Sequence, residues 1–154
     1  MKLGTLCYVE KDNHYLMLHR TKKENDMHEG LWVGLGGKLE AGESPEDCVV
    51  REVFEESGLR LHAPKLRGIL TFPGFFDEED WYVFLFTADE FSGELKQCNE
   101  GELAWICKDD LDSLPMHEGD HHFIKWIGEN DGILSAKYIY REGVFIDCQS
   151  VVYP

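Results

Sequence analysis

Residues Gly37–Leu59 read GKLEAGESPEDCVVREVFEESGL, and the second part of that stretch carries a full set of helix signals. Ser44 is a preferred N-cap, Pro45 fits the first helical position, and Asp47 follows the cap by three residues, where it can answer the cap's own N–H. Gly58 stands where helices commonly stop in a left-handed turn. At 100° per residue, Val49, Val50, Val53 and Phe54 share one arc, and Arg51, Glu52, Glu55 and Glu56 share the opposite one. The spacing predicts a helix over Ser44–Gly58 that buries the first face and presents three carboxylates and a guanidinium on the second.

Glu52, Glu55 and Glu56 lie three and four apart, so their carboxylates converge. Clustered anions repel, and a hard divalent cation stabilises them: Mg²⁺ or Mn²⁺ accepts all-oxygen ligation and also bridges phosphate oxygens. The glycines before the helix let the backbone approach closely, and the Gly36 carbonyl is a candidate further ligand. Arg51 keeps its charge at any relevant pH, so it calls for a carboxylate partner that locks the loop, and Glu43 is the obvious choice. An acidic face alone is more often just solvated. The glycines, Glu43 and Arg51 reverse that balance, because a solvated face does not require them.

Upstream, Leu3–Glu10 and His14–Arg20 flank the turn signal Lys11-Asp12-Asn13 and read as a hairpin. A polar loop, Thr21 to Gly30, leads to Leu31–Lys38, a short apolar strand running into glycines. Downstream, Lys65–Phe72 and Trp81–Thr87 read as strands, the second apolar on both faces and therefore central in its sheet. Gly101–Ile106 is a further strand and Asp120–Ile127 a second helix, with Asp120 as its cap. Ala136–Tyr140 and Val144–Asp147 form a hairpin about Arg141-Glu142-Gly143. One α/β domain over 1–154 accounts for everything, with the hairpin of about 133–154 packed on it.

The formal net charge is −15, from 30 acidic and 15 basic residues. Such a field opposes a nucleic acid backbone. It also repels a nucleotide unless some carboxylates hold cations. No apolar run is long enough to span a bilayer, and no secretory segment opens the chain, which points to the cytoplasm. The five scattered cysteines contain no C-x-x-C pair, so packed, reduced thiols are expected.

From Gly37, five residues precede Glu43, and seven more precede Arg51-Glu52-Val53-Phe54-Glu55-Glu56-Ser57-Gly58-Leu59. This resembles the signature of the Nudix hydrolases, G-x5-E-x7-R-E-U-x-E-E-x-G-U with U apolar, at every specified position. Chance would produce it in roughly one chain per ten million of this length. The resemblance implies an α/β/α sandwich with a mixed sheet and a loop–helix–loop catalytic motif. It also implies hydrolysis of a nucleoside diphosphate linkage by metal-activated water. Glu52 and Glu56 would be the main ligands, Glu55 would be a ligand or orient the water, and one of the three would be the general base. A further acid from a distant loop often completes such sites; Glu100 is the first candidate here and Glu102 the second.

Leu31–Lys38 and Met116–Asp120 also look like the MutT-type branch, which hydrolyses oxidised purine nucleoside triphosphates such as 8-oxo-dGTP to monophosphate and pyrophosphate. There a residue near Asp120 commonly reads the purine edge, an alternative to the capping role. Val33 and His117 stand where some members place asparagine and tryptophan. Arg20, Lys22, Lys23 and Lys38 are scarce positive charges that could grip phosphates, Arg20 and Lys38 best because both flank the candidate site. Phe72, Phe75, Phe76 and Trp81 are candidates for a base pocket, with core packing the stronger reading for Trp81. The expected partner is a small nucleotide, and the chain a monomer or homodimer. ADP-ribose, a dinucleoside polyphosphate or a nucleotide sugar are alternative substrates, and non-catalytic nucleotide sensing is the non-enzymatic alternative.

Overall fold

A computed structural model describes residues 1–21 and 28–154. Lys22 and Lys23 fall outside the described residues. The first hairpin pairs β1 (Lys2–Lys11) with β2 (His14–Arg20) across Asp12 and Asn13, both at positive φ (51° and 62°), as a two-residue primed turn requires. β3 is only Trp32–Val33, shorter than the strand expected over Leu31–Lys38. Next come α1 (Pro45–Ser57), β4 (Arg60–Leu61), β5 (Lys65–Phe76), β6 (Glu79–Ala88), β7 (Phe91–Ser92) and β8 (Gly101–Cys107). A 3₁₀ turn over Lys108–Ser113, α2 (Glu118–Glu129), β9 (Ile133–Arg141) and β10 (Val144–Tyr153) complete the chain.

Among the described residues eight strands form one mixed sheet in the order β10-β9-β5-β6-β1-β2-β3, with β8 also on β2. β6 lies inside it, parallel to β1 and antiparallel to β5, as its two apolar faces predict. β9 runs parallel to β5, so the last hairpin extends the sheet rather than resting on it.

Alternation along the strands divides the core in two. Cys7, Val9, Leu16, Leu18 and Phe86 point to one face and pack with Val49 and Val53 of α1. Tyr8, Tyr15, Met17 and Leu85 point to the other and pack with Phe123, Ile124 and Ile127 of α2. The result is the α/β/α sandwich expected from sequence. All five cysteines are free thiols, and no helix among the described residues is long and apolar enough to cross a membrane.

The sheet splits between β1 and β2, and that split positions the site. The two strands pair only from Val9↔Leu16 to Lys11↔His14, and residues 32–39 fill the gap beyond. Trp32 and Val33 pair with β2, whereas Leu35, Gly37 and Leu39 bond to Cys7, Thr5 and Leu3 of β1. This crossing from one strand to the other is why the apolar run is not one continuous strand.

Candidate functional site

The helix that carries the acidic face begins and ends on the expected residues. Ser44 Oγ accepts the Asp47 N–H (3.0 Å), Asp47 Oδ2 accepts the Ser44 N–H (3.1 Å), and Gly58 closes the helix at φ 82°. Cys48, Val49, Val53 and Ser57 are buried. Phe54 is not: it is 40% exposed, and the guanidinium of Arg60 and the ammonium of Lys96 lie over its ring. Cation–π contact takes the place of burial for that side chain.

Arg51 organises the loop. Its Nε and Nη2 donate to the two oxygens of Glu43 (2.7 and 2.9 Å), and Nη2 also reaches the Lys38 carbonyl (3.1 Å). Paired this way, the Glu43 carboxyl is held down to about 2, first by the Arg51 hydrogen bonds. Nη1 of the same guanidinium donates to Glu52 Oε1 (2.8 Å) and Glu55 Oε2 (3.3 Å).

Glu56 points inward, and its Oε1 accepts the Gly36 N–H (2.8 Å). Burial pushes its carboxyl up to about 8 despite that bond, with Glu100 and Glu52 adding repulsion and Arg20 easing it. Glu52 is raised as well, by burial first, against the pull of Arg51. Gly37 leaves the space that Glu52 occupies: a Cβ there would meet the Glu52 carboxyl carbon at 2.4 Å.

Glu100 joins this cluster from the turn before β8, with Oε2 3.2 Å from Arg20 Nη1. Glu102, the second choice from sequence, is exposed and is not among the residues lining the cleft described below. Glu52, Glu56 and Glu100 thus repel one another at one place, a donor set that suits a hard divalent cation. The convergence is incomplete, however. Glu55 is 57% exposed and turned to Arg51, and the described residues hold no ready-made shell of three ligands. Arginine explains this: Arg51 holds Glu52 and Glu55, and Arg20 holds Glu100.

A cleft of about 870 Å³ is lined both by these carboxylates and by aromatic side chains, a size that accommodates a nucleotide. Arg20 and Lys38 also line it, Lys38 Nζ lying 5.6 Å from the Trp81 ring centroid. Trp81 is half-buried, packs against the core as expected and also lines the cleft, and its indole N–H has no hydrogen-bond partner among the described residues.

Phe72, Phe75 and His117 line it too, the Phe75 ring 5.7 Å from that of His117. Two contributors there were missed in the sequence. His28 Nδ1 lies 2.7 Å from His117 Nε2, and Tyr140, from β9, packs on Phe75 (4.9 Å between centroids) and accepts the Gly119 N–H (2.7 Å). Neither carries a local signal, since both arrive through tertiary contacts.

Asp120 does not cap α2. The helix starts at Glu118 with His117 in the cap position, which places Asp120 inside the first turn. Its side chain is 8% exposed, lines the cleft, and has no hydrogen bond from any described residue. Burial alone pushes it up to about 7. His121 and His122 lie outside the cleft, and His122 Nδ1 is 2.7 Å from the Tyr138 hydroxyl.

A model of the NUDIX domain matches residues 2–127, which include the whole motif and Asp120. The chain belongs to the Nudix family. It is 34% identical to the uncharacterised Nudix hydrolase YvcI of Bacillus subtilis over 88% of this chain and 85% of that one. An ADP-ribose pyrophosphatase of Methanocaldococcus jannaschii is 34% identical over 75% of this chain and 66% of its own. An oxidised purine nucleoside triphosphate hydrolase of Danio rerio is 32% identical over 76% and 71%. Among solved structures, a MutT protein of Bacillus halodurans superposes with a TM-score of 0.87 at 33% identity, covering 97% of each chain. The chain is thus a Nudix hydrolase with MutT proteins as structural neighbours, and Nudix hydrolases act on small nucleotide substrates with divalent cations.

Proposed function

We propose that this Nudix hydrolase cleaves the diphosphate linkage of an oxidised purine nucleoside triphosphate such as 8-oxo-dGTP, releasing monophosphate and pyrophosphate, with residues 1–154 acting as one domain. The observation that carries the reading is the make-up of the cleft. Mutually repelling carboxylates, two basic side chains, aromatic rings and a buried carboxyl line one and the same cleft.

Glu52, Glu56, Glu100 and the Gly36 carbonyl are the groups that would hold Mg²⁺ or Mn²⁺. Such an ion lowers the pKa of a bound water and offsets phosphate charge. Arg20 and Lys38 bring positive charge to the phosphate oxygens. Glu55, the most exposed of the three helix carboxylates, would take the proton of the attacking water. Arg51 fixes the loop through Glu43 and keeps the helix carboxylates in register. Phe75 and His117 offer faces to a purine, and Asp120, whose proton affinity near neutral pH lets it donate or accept, reads its edge.

The relative at ADP-ribose pyrophosphatase level makes the substrate the point to test. Turnover with Mg²⁺ would be compared for 8-oxo-dGTP, dGTP, ADP-ribose and a dinucleoside tetraphosphate. A highest kcat/KM for 8-oxo-dGTP supports the proposal. Preference for another compound replaces the substrate and keeps the site, and nucleotide binding with no turnover favours a sensor.

A further inference from the structure

The Arg20–Glu100 ion pair is built by the backbone. Arg20, at the end of β2, pairs in register with Gly101 of β8. A Cβ at position 101 would lie 1.8 Å from the His19 carbonyl oxygen, so only glycine lets the strands meet this closely. That approach delivers Glu100 to the guanidinium. The Arg20 side chain is 13% exposed, and its charge is felt by Glu56 as well as by Glu100. A protein cation therefore sits where Glu52, Glu56 and Glu100 repel one another.

Both partners have other work in the loaded site. Glu100 is assigned to the divalent ion and Arg20 to substrate phosphate. A guanidinium held on a carboxylate is turned from a phosphate, and a carboxylate held by a guanidinium is a poorer metal ligand. We propose that Arg20 is a placeholder cation that competes with the divalent ion for Glu100, so that metal entry releases Arg20 toward the substrate's phosphates. Metal and nucleotide then favour each other's binding, because each removes a cost borne by the other. The inference rests on the metal site proposed above.

The test is Mn²⁺ binding without nucleotide, followed by the electron paramagnetic resonance signal of the free ion. Arg20→Met should tighten Mn²⁺ about fivefold, the size of a partly exposed ion pair, while Arg20→Lys stays within about twofold of wild type because the charge remains. In the same Arg20→Met protein, binding of the non-hydrolysable α,β-methylene analogue of dGTP with Mn²⁺ should weaken at least about tenfold. In a Glu100→Gln background, Arg20→Met should change Mn²⁺ affinity less than about twofold. A merely structural role would weaken both ligands together. Unchanged or weaker Mn²⁺ binding by Arg20→Met, with normal binding by wild type, overturns the placeholder role and leaves the metal site standing. Absence of Mn²⁺ binding by wild type overturns both.

Discussion

The carboxyl carbon of Glu52 lies 2.4 Å from the point that a Cβ on Gly37 would occupy. The glycine-rich turn and the acidic helix face are therefore one device, each shaped by the other. Gly37→Ala displaces the end of a flexible side chain rather than backbone, so the fold should lose no more than about 1 kcal/mol. Turnover should fall about a hundredfold, because a misplacement of about 1 Å suffices. Thermal melting and kcat on the same preparation check this; a large melting shift with turnover in proportion would contradict it.

Glu56→Gln keeps an oxygen able to accept the Gly36 N–H and removes the buried charge. Folding should be preserved, and turnover should drop at least about a hundredfold. Circular dichroism and steady-state kinetics decide it, and wild-type turnover would remove Glu56 from the site.

Asp120 is raised to about 7 by burial, against about 3.9 in an unfolded chain. Between those values the folded state binds more protons than the unfolded state. The stability tied to this group is therefore full below about pH 3.9 and lost as pH rises through about 7. Asparagine does not titrate, so the stability of Asp120→Asn relative to wild type should climb across that window, by at most about 1.4 kcal/mol per pH unit. Denaturant unfolding at pH 4, 5.5 and 7.5 measures it; a flat difference would show that Asp120 is ionised in a solvated setting. The same variant should alter base preference more than the rate of the chemical step.

Arg67 is 6% exposed in β5 and donates to the carbonyls of Ile127 (3.3 Å) in the last turn of α2 and of Asn130 and Gly132 (3.4 Å) beyond it. Arg67→Met strands those acceptors. The expected loss is about 3 kcal/mol, or roughly 6–12 °C in Tm, read by calorimetry.

What the sequence revealed was chiefly local. The capping box at Ser44 and the turns at Asp12-Asn13 and Arg141-Glu142-Gly143 are short-range chemistry, and α1 and both hairpins follow from them. The Arg51–Glu43 pair is legible in the sequence because a permanent cation beside a loop carboxylate leaves few alternatives. Features set by distant packing were hidden. Phe54 lies on the apolar arc of α1, yet Arg60 and Lys96 cover it outside the core. The run Leu31–Lys38 looked like one strand because nothing local shows that β1 and β2 diverge. Asp120 resembled a cap because the role of His117 depends on the entry of α2. The hold of Arg20 on Glu100 is equally invisible, since it depends on the register of β2 with β8.

Product analysis of 8-oxo-dGTP incubated with the protein and Mg²⁺ bears most directly on the proposed chemistry. Cleavage at the linkage nearest the nucleoside predicts 8-oxo-dGMP and pyrophosphate in equal amounts, with neither formed in EDTA. Formation of the diphosphate and inorganic phosphate, or product formation that persists in EDTA, would contradict it.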